Sequence, residues 1–455
     1  MRRIDAEISV FNQLSNESNS VMSSRLSLFG GEPAVPHPPT YSWPPITNSD
    51  TALIVQLLQR KELSYYGREG EVRELEDAFK TYFNVRFALA MSSGTAALHS
   101  AFFGLGLGEG DEVLAPTFTF LSTVMPIFVV NALPVLVDAE PDTGNIDPAD
   151  IERQITPQTK ALVITHMQGH ACDMSRIMDL VRKHRLTLIE DCSHAHGASH
   201  QERLLGTFGD ASVFSLQGSK LVAAGQGGIL LTNNQEIYER ATLLGHFKVR
   251  AMEEVTSDQY RPFSGTGYGL NYRMHPFAAG LAKEQFKRLD SYLEGRNDNL
   301  LHLSSRLEGI PGIAPPVVRD YATRHGWFTY RPFYKSDELE GLSLQTYLKA
   351  LQAEGVPLQK ASSLPLHLEP LFQVEDDHSY TYGRTTSKTS LSIRQRYQPG
   401  DFPNSEHYAQ STCTLPPFTE PMPKIMDQFV EAFSKVAKQA HLLRDYERTK
   451  YHHPK

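Results

Sequence analysis

Seven short apolar segments alternate with helical patterns between residues 87 and 234, and this alternation limits the fold more than any other feature of the sequence. Short apolar runs bounded by turn residues predict strands that are buried on both faces. Strands joined through helices form a mostly parallel sheet with helices on both faces, an α/β fold. The predicted strands are FALAMSS (87–93), DEVLAP (111–116), LPVLVDAE (133–140), ALVITH (161–166), LTLIED (186–191), ASVFSL (211–216) and GGILLTNN (227–234).

The sequence on either side of this block predicts two folded regions, because 455 residues exceed what one compact core usually holds. We expect a large α/β domain over residues 28–295 and a smaller C-terminal α+β domain over 296–445. Residues 1–27, rich in Ser and Asn, predict a disordered extension, and residues 446–455 predict a polar tail. Further helical segments are expected over 51–60, 71–83, 276–307, 342–354 and 423–444, and a strand over WFTYRPFY (327–334).

Polar and aromatic residues concentrate where the predicted strands end. Ligands of open parallel sheets bind at the carboxyl ends of the strands, so these segments are the candidates for a functional site. They are SSGT (92–95), PTFTF (116–120), HMQGH (166–170), EDCSHAH (190–196) and SLQGSK (215–220).

The SSGT segment leads directly into the helical run AALHSAFFGLGL. Free N–H groups at a helix start and the positive end of the helix dipole bind phosphate, and the hydroxyls of Ser93 and Thr95 would add donors. A plain helix N-cap explains the same residues equally well.

Asp191 ends the buried run LTLIED, where a carboxylate can hold a protonated ring nitrogen or simply cap the next helix. Lys220 lies between an apolar strand and the Gly-rich AAGQGG. Burial lowers the pKa of a lysine, which can then attack an aldehyde as a neutral amine, although a lysine at a loop tip is the alternative. A phosphate turn, a strand-end carboxylate and a Ser-flanked lysine are together what a pyridoxal 5'-phosphate (PLP) site needs.

Composition and missing motifs exclude several other functions. A formal net charge of -8 and a pI near 6.1 give no electrostatic footprint for nucleic acid or an anionic membrane. The three cysteines form no CxxC pair, which favours a reducing cytoplasm, and no ligand spacing predicts a metal site. FGLGLGEGDE follows a helix and has Glu109 at the third glycine position of GxGxxG, so an NAD(P)-dependent oxidoreductase is the weakest alternative.

The motifs taken together resemble the DegT/DnrJ/EryC1/StrS aminotransferases over residues 28–440, and SLQGSK and HMQGH are most similar to the branch of inosose aminotransferases and 3-amino-5-hydroxybenzoate synthases. This resemblance implies a PLP-dependent transferase of fold type I, active as a cytoplasmic homodimer with shared sites. The segments that carry it are SSGTAALH, GDEVLAPTFTF, PVLVDAEPDTGNIDP, ITPQTKALVITH, IEDCSHAHGA, GTFGDASVFSLQGSKLVAAGQGGILLTNN and LNYRMHPFAAGLA.

The resemblance also implies roles for individual residues. Lys220 would bind the cofactor covalently and act as the proton-transfer group, and Asp191 would pair with the pyridinium nitrogen. The other implied cofactor contacts are Ser93, Gly94, Thr95, Ser215 and the neighbouring subunit's Asn271 for the phosphate, and Phe120 and His194 for the ring. Gln226 departs from the acidic residue usual at its position.

The implied reaction moves an amino group from glutamate or glutamine to a keto-sugar, free or nucleotide-linked, or to a keto-cyclitol. Tyr66, Arg273 and His367 are candidates for acceptor contacts, although each is equally explained by a structural role. A PLP-dependent dehydratase or aromatising enzyme on the same fold is the nearest alternative. Lys220 argues against the sugar 3-dehydratases of the family, in which histidine replaces the lysine.

Overall fold

The computed structural model describes residues 25–373 and 397–451. Each of the seven predicted apolar segments contains a strand of one central sheet, which confirms the predicted α/β architecture. The sheet strands are β1 (Phe87–Met91), β2 (Glu112–Pro116), β3 (Leu133–Val137), β4 (Thr159–Thr165), β5 (Thr187–Asp191), β8 (Ala211–Ser215) and β9 (Gly228–Thr232). Two-residue strands form small pairs elsewhere: β6 (Ser199–His200), β7 (Arg203–Leu204), β10 (Ile313–Ala314), β11 (Phe333–Tyr334), β12 (Gln359–Lys360) and β13 (Cys413–Thr414).

Helices connect these strands and form most of the C-terminal region. In chain order they are α1 (Asn48–Arg60), α2 (Gly70–Phe83), α3 (Gly94–Gly104), α4 (Met125–Val129), α5 (Pro148–Gln154), α6 (Met174–His184), α7 (Gln235–Gly245), α8 (Val249–Glu254), α9 (Pro276–Phe286), α10 (Leu289–Leu307), α11 (Leu344–Ala353), α12 (Pro403–Ser411), α13 (Pro423–Lys438) and α14 (Ala440–Tyr451). None of the described helices has the length and apolarity needed to cross a lipid bilayer.

The strand order is β1-β9-β8-β5-β4-β2-β3, and only β9 runs antiparallel to its neighbours. Met91 and Ser215 both pair with Gly228, while Asp191 pairs with Thr165. The carboxyl ends of β1, β4, β5 and β8 therefore meet at one edge of the sheet.

Apolar side chains form a core on each face of the sheet. One cluster includes Phe79 of α2 and Phe214 of β8, and the other includes Ala97 and Phe102 of α3. Nearly every residue of α3 is buried. A helix that is apolar on all sides belongs inside a protein, so α3 is held firmly where it begins at the sheet edge.

A third apolar cluster joins α10, α11 and α13. Helix α10 contributes Leu293 to the sheet cluster and Leu300 and Leu307 to this third cluster. The predicted boundary at residues 295 and 296 falls inside α10, and the division into two domains stays a prediction. Leu26, inside the predicted disordered extension, is fully buried in the third cluster, whereas residues 1–24 lie outside the described residues.

Three secondary-structure predictions were inaccurate in extent. The predicted helix 276–307 divides into α9 and α10, and the predicted helix 423–444 divides at Gln439, where the backbone leaves helical geometry (φ -114°, ψ 20°). Helix α14 then continues to Tyr451, into the predicted polar tail. Of WFTYRPFY, only Phe333–Tyr334 forms a strand, because Pro332 has no N–H to donate to a ladder.

Candidate active site

The start of α3 forms an anion-binding turn at the sheet edge. Ser93 is the N-cap, and its Oγ accepts a hydrogen bond from the Ala96 N–H at 3.1 Å. A Cβ added to Gly94 would lie 2.9 Å from Cβ of Ser215, so only glycine lets the end of β8 approach this turn so closely. Thr95 is exposed, and its hydroxyl donates to Ser122 Oγ at 2.9 Å. The first-turn N–H groups of α3 and the side chains of Ser93 and Thr95 thus lie at the sheet edge, where a helix start can bind a phosphate.

Asp191 lies at the end of β5 and is only 4% exposed. Its Oδ2 accepts a hydrogen bond from the Thr123 hydroxyl at 2.7 Å, and its Oδ1 accepts from the Ser193 N–H at 3.1 Å. The Thr123 hydroxyl lies in a buried chain with those of Thr119 and Thr165, at 2.9 and 3.3 Å. These contacts fix the orientation of the carboxylate.

Lys220 lies in the turn after β8, which is closed by its own backbone and contacted by Trp43 from the segment before α1. Its N–H donates to the Gln217 carbonyl at 2.8 Å, and its carbonyl accepts from Trp43 Nε1 at 2.9 Å. Burial lowers the pKa of the Lys220 amine from 10.5 to about 8, although the nearby Asp191 charge acts in the opposite direction. Near neutral pH, more of this amine is therefore neutral, and nucleophilic, than of an ordinary lysine.

Phe328 connects Lys220 to His194. The Lys220 Nζ lies 4.2 Å from the centroid of the Phe328 ring, and the His194 ring stacks on the same phenyl ring at 4.0 Å and 6°. Burial, with a smaller contribution from the Lys220 charge, holds the pKa of His194 well below 6.5, so the imidazole is neutral. Its Nδ1 is buried and has no hydrogen-bond partner among the residues that the structure describes. Sequence reasoning missed Phe328, for which the only signal was the aromatic run WFTYRPFY.

Phe120 lies in the loop after β2 with 62% of its surface exposed. The Thr123 N–H donates to the Phe120 carbonyl at 3.0 Å, and Thr123 in turn binds Asp191. The loop is also tied to the anion-binding turn through the Thr95–Ser122 hydrogen bond. The structure therefore brings the loop that carries Phe120 to the other predicted cofactor contacts and leaves its ring free.

Asn271 and Arg273 lie on a segment that runs beside the anion-binding turn. The Ser92 N–H donates to the Tyr272 carbonyl at 2.7 Å, and Arg273 forms a bridge with Met91. Asn271 is exposed, and its side chain accepts a hydrogen bond from the Arg273 N–H at 3.4 Å.

Arg273 also contacts Tyr66, which is another of the three residues predicted to contact the acceptor. Its guanidinium carbon lies 4.8 Å from the Tyr66 ring centroid and 5.3 Å from that of Phe247. Tyr66 is 54% exposed. The two residues thus form one surface cluster at the edge of the site.

His367 is placed differently from the other predicted acceptor residues. It is fully buried, with Nδ1 at 3.0 Å from the Thr117 hydroxyl and Nε2 at 2.9 Å from a Glu406 oxygen. Both ring nitrogens are therefore occupied by contacts that join the C-terminal region to the end of β2.

Three buried side chains near β5, His166, Glu190 and Cys192, have possible metal-ligand atoms within 4.8 Å of one another. The Glu190 oxygens accept hydrogen bonds from the N–H groups of Gly206, Phe208 and Gly209 at 2.7 to 2.8 Å. The Glu190 carboxylate is therefore explained by a structural role, because it holds the loop that precedes β8.

The arrangement fits PLP on several independent features. The glycine contact at Gly94 shapes an anion cradle, Asp191 supplies a fixed carboxylate, and Lys220 supplies an amine with a lowered pKa. His194 stacks on the same Phe328 ring that the Lys220 amine contacts. An aldehyde-bearing, phosphorylated pyridine needs these groups at one edge of a sheet.

Comparison with known proteins identifies the family. The model of the DegT/DnrJ/EryC1/StrS aminotransferase family matches residues 44–434. The chain belongs to this family. It is therefore a PLP-dependent aminotransferase, and the resemblance found in the sequence is confirmed.

Individual relatives match over most of their length. The chain is 30% identical to the spore coat polysaccharide biosynthesis protein SpsC of Bacillus subtilis, over 88% of this chain and 97% of that protein. It is 31% identical to a putative L-glutamine:3-amino-2,3-dideoxy-scyllo-inosose aminotransferase of Streptoalloteichus tenebrarius, over 93% and 100%. The crystal structure of 3-amino-5-hydroxybenzoic acid (AHBA) synthase matches with a TM-score of 0.72 at 25% identity, over 88% and 99%.

Proposed function

We propose that this aminotransferase moves an amino group from glutamate or glutamine to the ketone of a keto-sugar, free or nucleotide-linked, or of a keto-cyclitol. The observation that carries the proposal is the Lys220 amine, with a pKa of about 8, held beside Asp191 and His194 in a chain of this family. The similarity to an inosose aminotransferase and to a polysaccharide biosynthesis protein supports the acceptor class.

The residues of the anion-binding turn would hold the cofactor phosphate. Ser93, Gly94 and Thr95 lie at the start of α3, where the helix dipole favours negative charge, and Ser215 packs against Gly94. Asp191 would keep a proton on the ring nitrogen, and Phe120 and His194 would contact the ring. When bound, PLP supplies an electron-withdrawing ring that stabilises negative charge at the donor's α-carbon.

Lys220 would do the proton transfer. Once released as a free amine, it would take the proton from the donor's α-carbon and return it to the cofactor C4′. A pKa of about 8 suits both halves of that task, because the amine gains and loses a proton easily near neutral pH. The Phe328 ring, 4.2 Å from Nζ, would stabilise the protonated form during the transfer.

We further propose that the active form is a homodimer. Several large apolar side chains are exposed and would be covered by a second copy in a two-fold arrangement. They are Tyr66, Phe120, Met252, Phe263 and Tyr268. Asn271 would then reach the phosphate of the partner's site.

The enzyme is proposed to act in the cytoplasm. Cys172, Cys192 and Cys413 are all buried free thiols, which suits a reducing compartment.

The function is tested by incubating the PLP-loaded enzyme with glutamate or glutamine and a panel of keto-sugars and keto-cyclitols. The donor alone should release at most one equivalent of 2-oxo acid per active site, continued formation of the 2-oxo acid should require an acceptor, and Lys220→Ala should abolish both. Absence of amino transfer with every donor and acceptor, in enzyme that holds PLP, would argue against the proposed substrates.

A further inference from the structure

A narrow cleft lies between the loop after β4 and the C-terminal region. Its lining includes Asp142, Gln168, Thr329, Arg331 and Tyr408. Its empty volume is about 260 Å³ when the open solvent at its mouth is counted, so the enclosed part is small. The cleft is therefore too small for a whole sugar nucleotide.

Arg331 is a buried cation in this cleft with unused donor capacity. It is 3% exposed, its Nε donates to the Thr412 hydroxyl at 2.9 Å, and its Nη1 donates to the Ser363 hydroxyl at 3.4 Å. Its Nη2 is buried and has no hydrogen-bond partner. Within residues 25–373 and 397–451, no carboxylate lies within salt-bridge distance of it. Burying an unpaired charge is costly, so this guanidinium has a strong preference for an added anion.

The rest of the cleft does not neutralise Arg331. The Asp142 carboxylate is paired with Arg319. Burial lowers the pKa of His170 to about 4 and holds that of His325 well below 6.5, so both imidazoles are neutral at pH 7. The ring centroids of Phe118 and Tyr408 lie 5.1 and 5.3 Å from the guanidinium carbon. These rings contact the cation with their faces and do not supply a negative charge.

The cleft shares a wall with the pocket of Lys220. Thr329 lines the cleft, and the preceding residue, Phe328, contacts the Lys220 amine and stacks on His194. The Arg331 charge is also among the causes that lower the pKa of His194. Arg331 is thus within electrostatic range of His194, which stacks on the ring that contacts the Lys220 amine.

We infer that Arg331 binds the α-carboxylate of the amino donor and thereby orients the donor's α-carbon toward Lys220. The planar guanidinium matches a carboxylate, and Nη2 supplies a donor that no protein group uses. The inference rests on the proposed function, because it assumes an amino-acid donor.

The first test needs no variant. The PLP-loaded wild-type enzyme is given either glutamine or 4-aminobutanamide, which is glutamine without its carboxylate, and kcat/KM is measured for each. We expect glutamine to be preferred by at least about 10- to 100-fold, the size expected for a hydrogen bond to a charged group. Equal values would overturn the inference.

The second test compares Arg331→Gln and Arg331→Lys with Arg203→Gln, a matched control. Arg203 also lies over an aromatic ring, 4.0 Å from the centroid of Phe208, but is exposed on another part of the surface. Arg331→Gln should lose most of the preference for glutamine, Arg331→Lys should keep part of it, and Arg203→Gln should keep all of it. Full preference in Arg331→Gln would contradict the assignment.

A binding measurement separates this inference from the proposed function. Glutaramate, which has the carboxylate of glutamine but no amino group, is titrated into each PLP-loaded protein by calorimetry. Wild type and Arg203→Gln should bind it, and Arg331→Gln should bind at least about 10-fold more weakly. Wild-type enzyme that transfers amino groups but does not bind glutaramate overturns only the inference. Arg331-dependent binding without amino transfer would count against the proposed function.

Discussion

The lowered pKa of Lys220 makes a prediction about the cofactor-free enzyme. Burial lowers the pKa from 10.5 to about 8, so about 9% of the amine is neutral at pH 7, against about 0.03% for an ordinary lysine. Only the neutral amine reacts with acetic anhydride. Labelling of Lys220 should therefore rise about 50-fold between pH 6 and pH 8 and only about 2-fold between pH 8 and pH 10.

An unburied lysine behaves differently over the same range, because its labelling would still rise about 75-fold between pH 8 and pH 10. The assay is competitive labelling followed by mass spectrometry of the peptide that contains Lys220, with a short lysine peptide in the same tube as the standard. A rise of tens of fold above pH 8 at Lys220 would refute the argument from burial.

Three further predictions concern the other groups of the site. Asp191→Asn should retain PLP but lose several orders of magnitude in the rate of amino transfer, since each ~1.4 kcal/mol is tenfold, and near-normal turnover would mean that another group holds the ring proton. Gly94→Ala should weaken PLP binding in an absorbance titration by at least about 10-fold, because its methyl group would lie 2.9 Å from Ser215 Cβ. Gly108→Ala, with 3.9 Å to its nearest neighbour, is the matched control and should bind normally. Inactive Lys220→Ala and Asn271→Ala chains, unfolded and reassociated together, should regain activity if Asn271 completes the partner's site, and should stay inactive if it serves its own.

The sequence predicted correctly the positions of the candidate residues that lie at the ends of sheet strands. Asp191 and Lys220 each follow an apolar run, and parallel strands place such positions at one edge regardless of the details of packing. The same reasoning placed Ser93 and Thr95 at a helix start, where the structure has them. These predictions needed only the order of elements.

The residues that it missed depend on contacts between distant parts of the chain. Phe328 meets Lys220 and His194 because its own N–H bonds to the Gln168 carbonyl at 2.9 Å. Arg331 reaches its cleft through Thr412, and nothing in the letters WFTYRPFY distinguishes it from a surface arginine beside an aromatic residue. His367 was a candidate for acceptor contact, but the structure buries it against Thr117 and Glu406. No feature of the sequence around His367 indicates that burial.

The central claim is that Lys220 is the residue that binds the cofactor. Purified enzyme incubated with PLP should be yellow, and reduction with borohydride should attach a stable pyridoxyl group to one peptide. Mass spectrometry should place this group on Lys220, and Lys220→Ala should yield no labelled peptide. Recovery of the label on any other lysine would contradict the account.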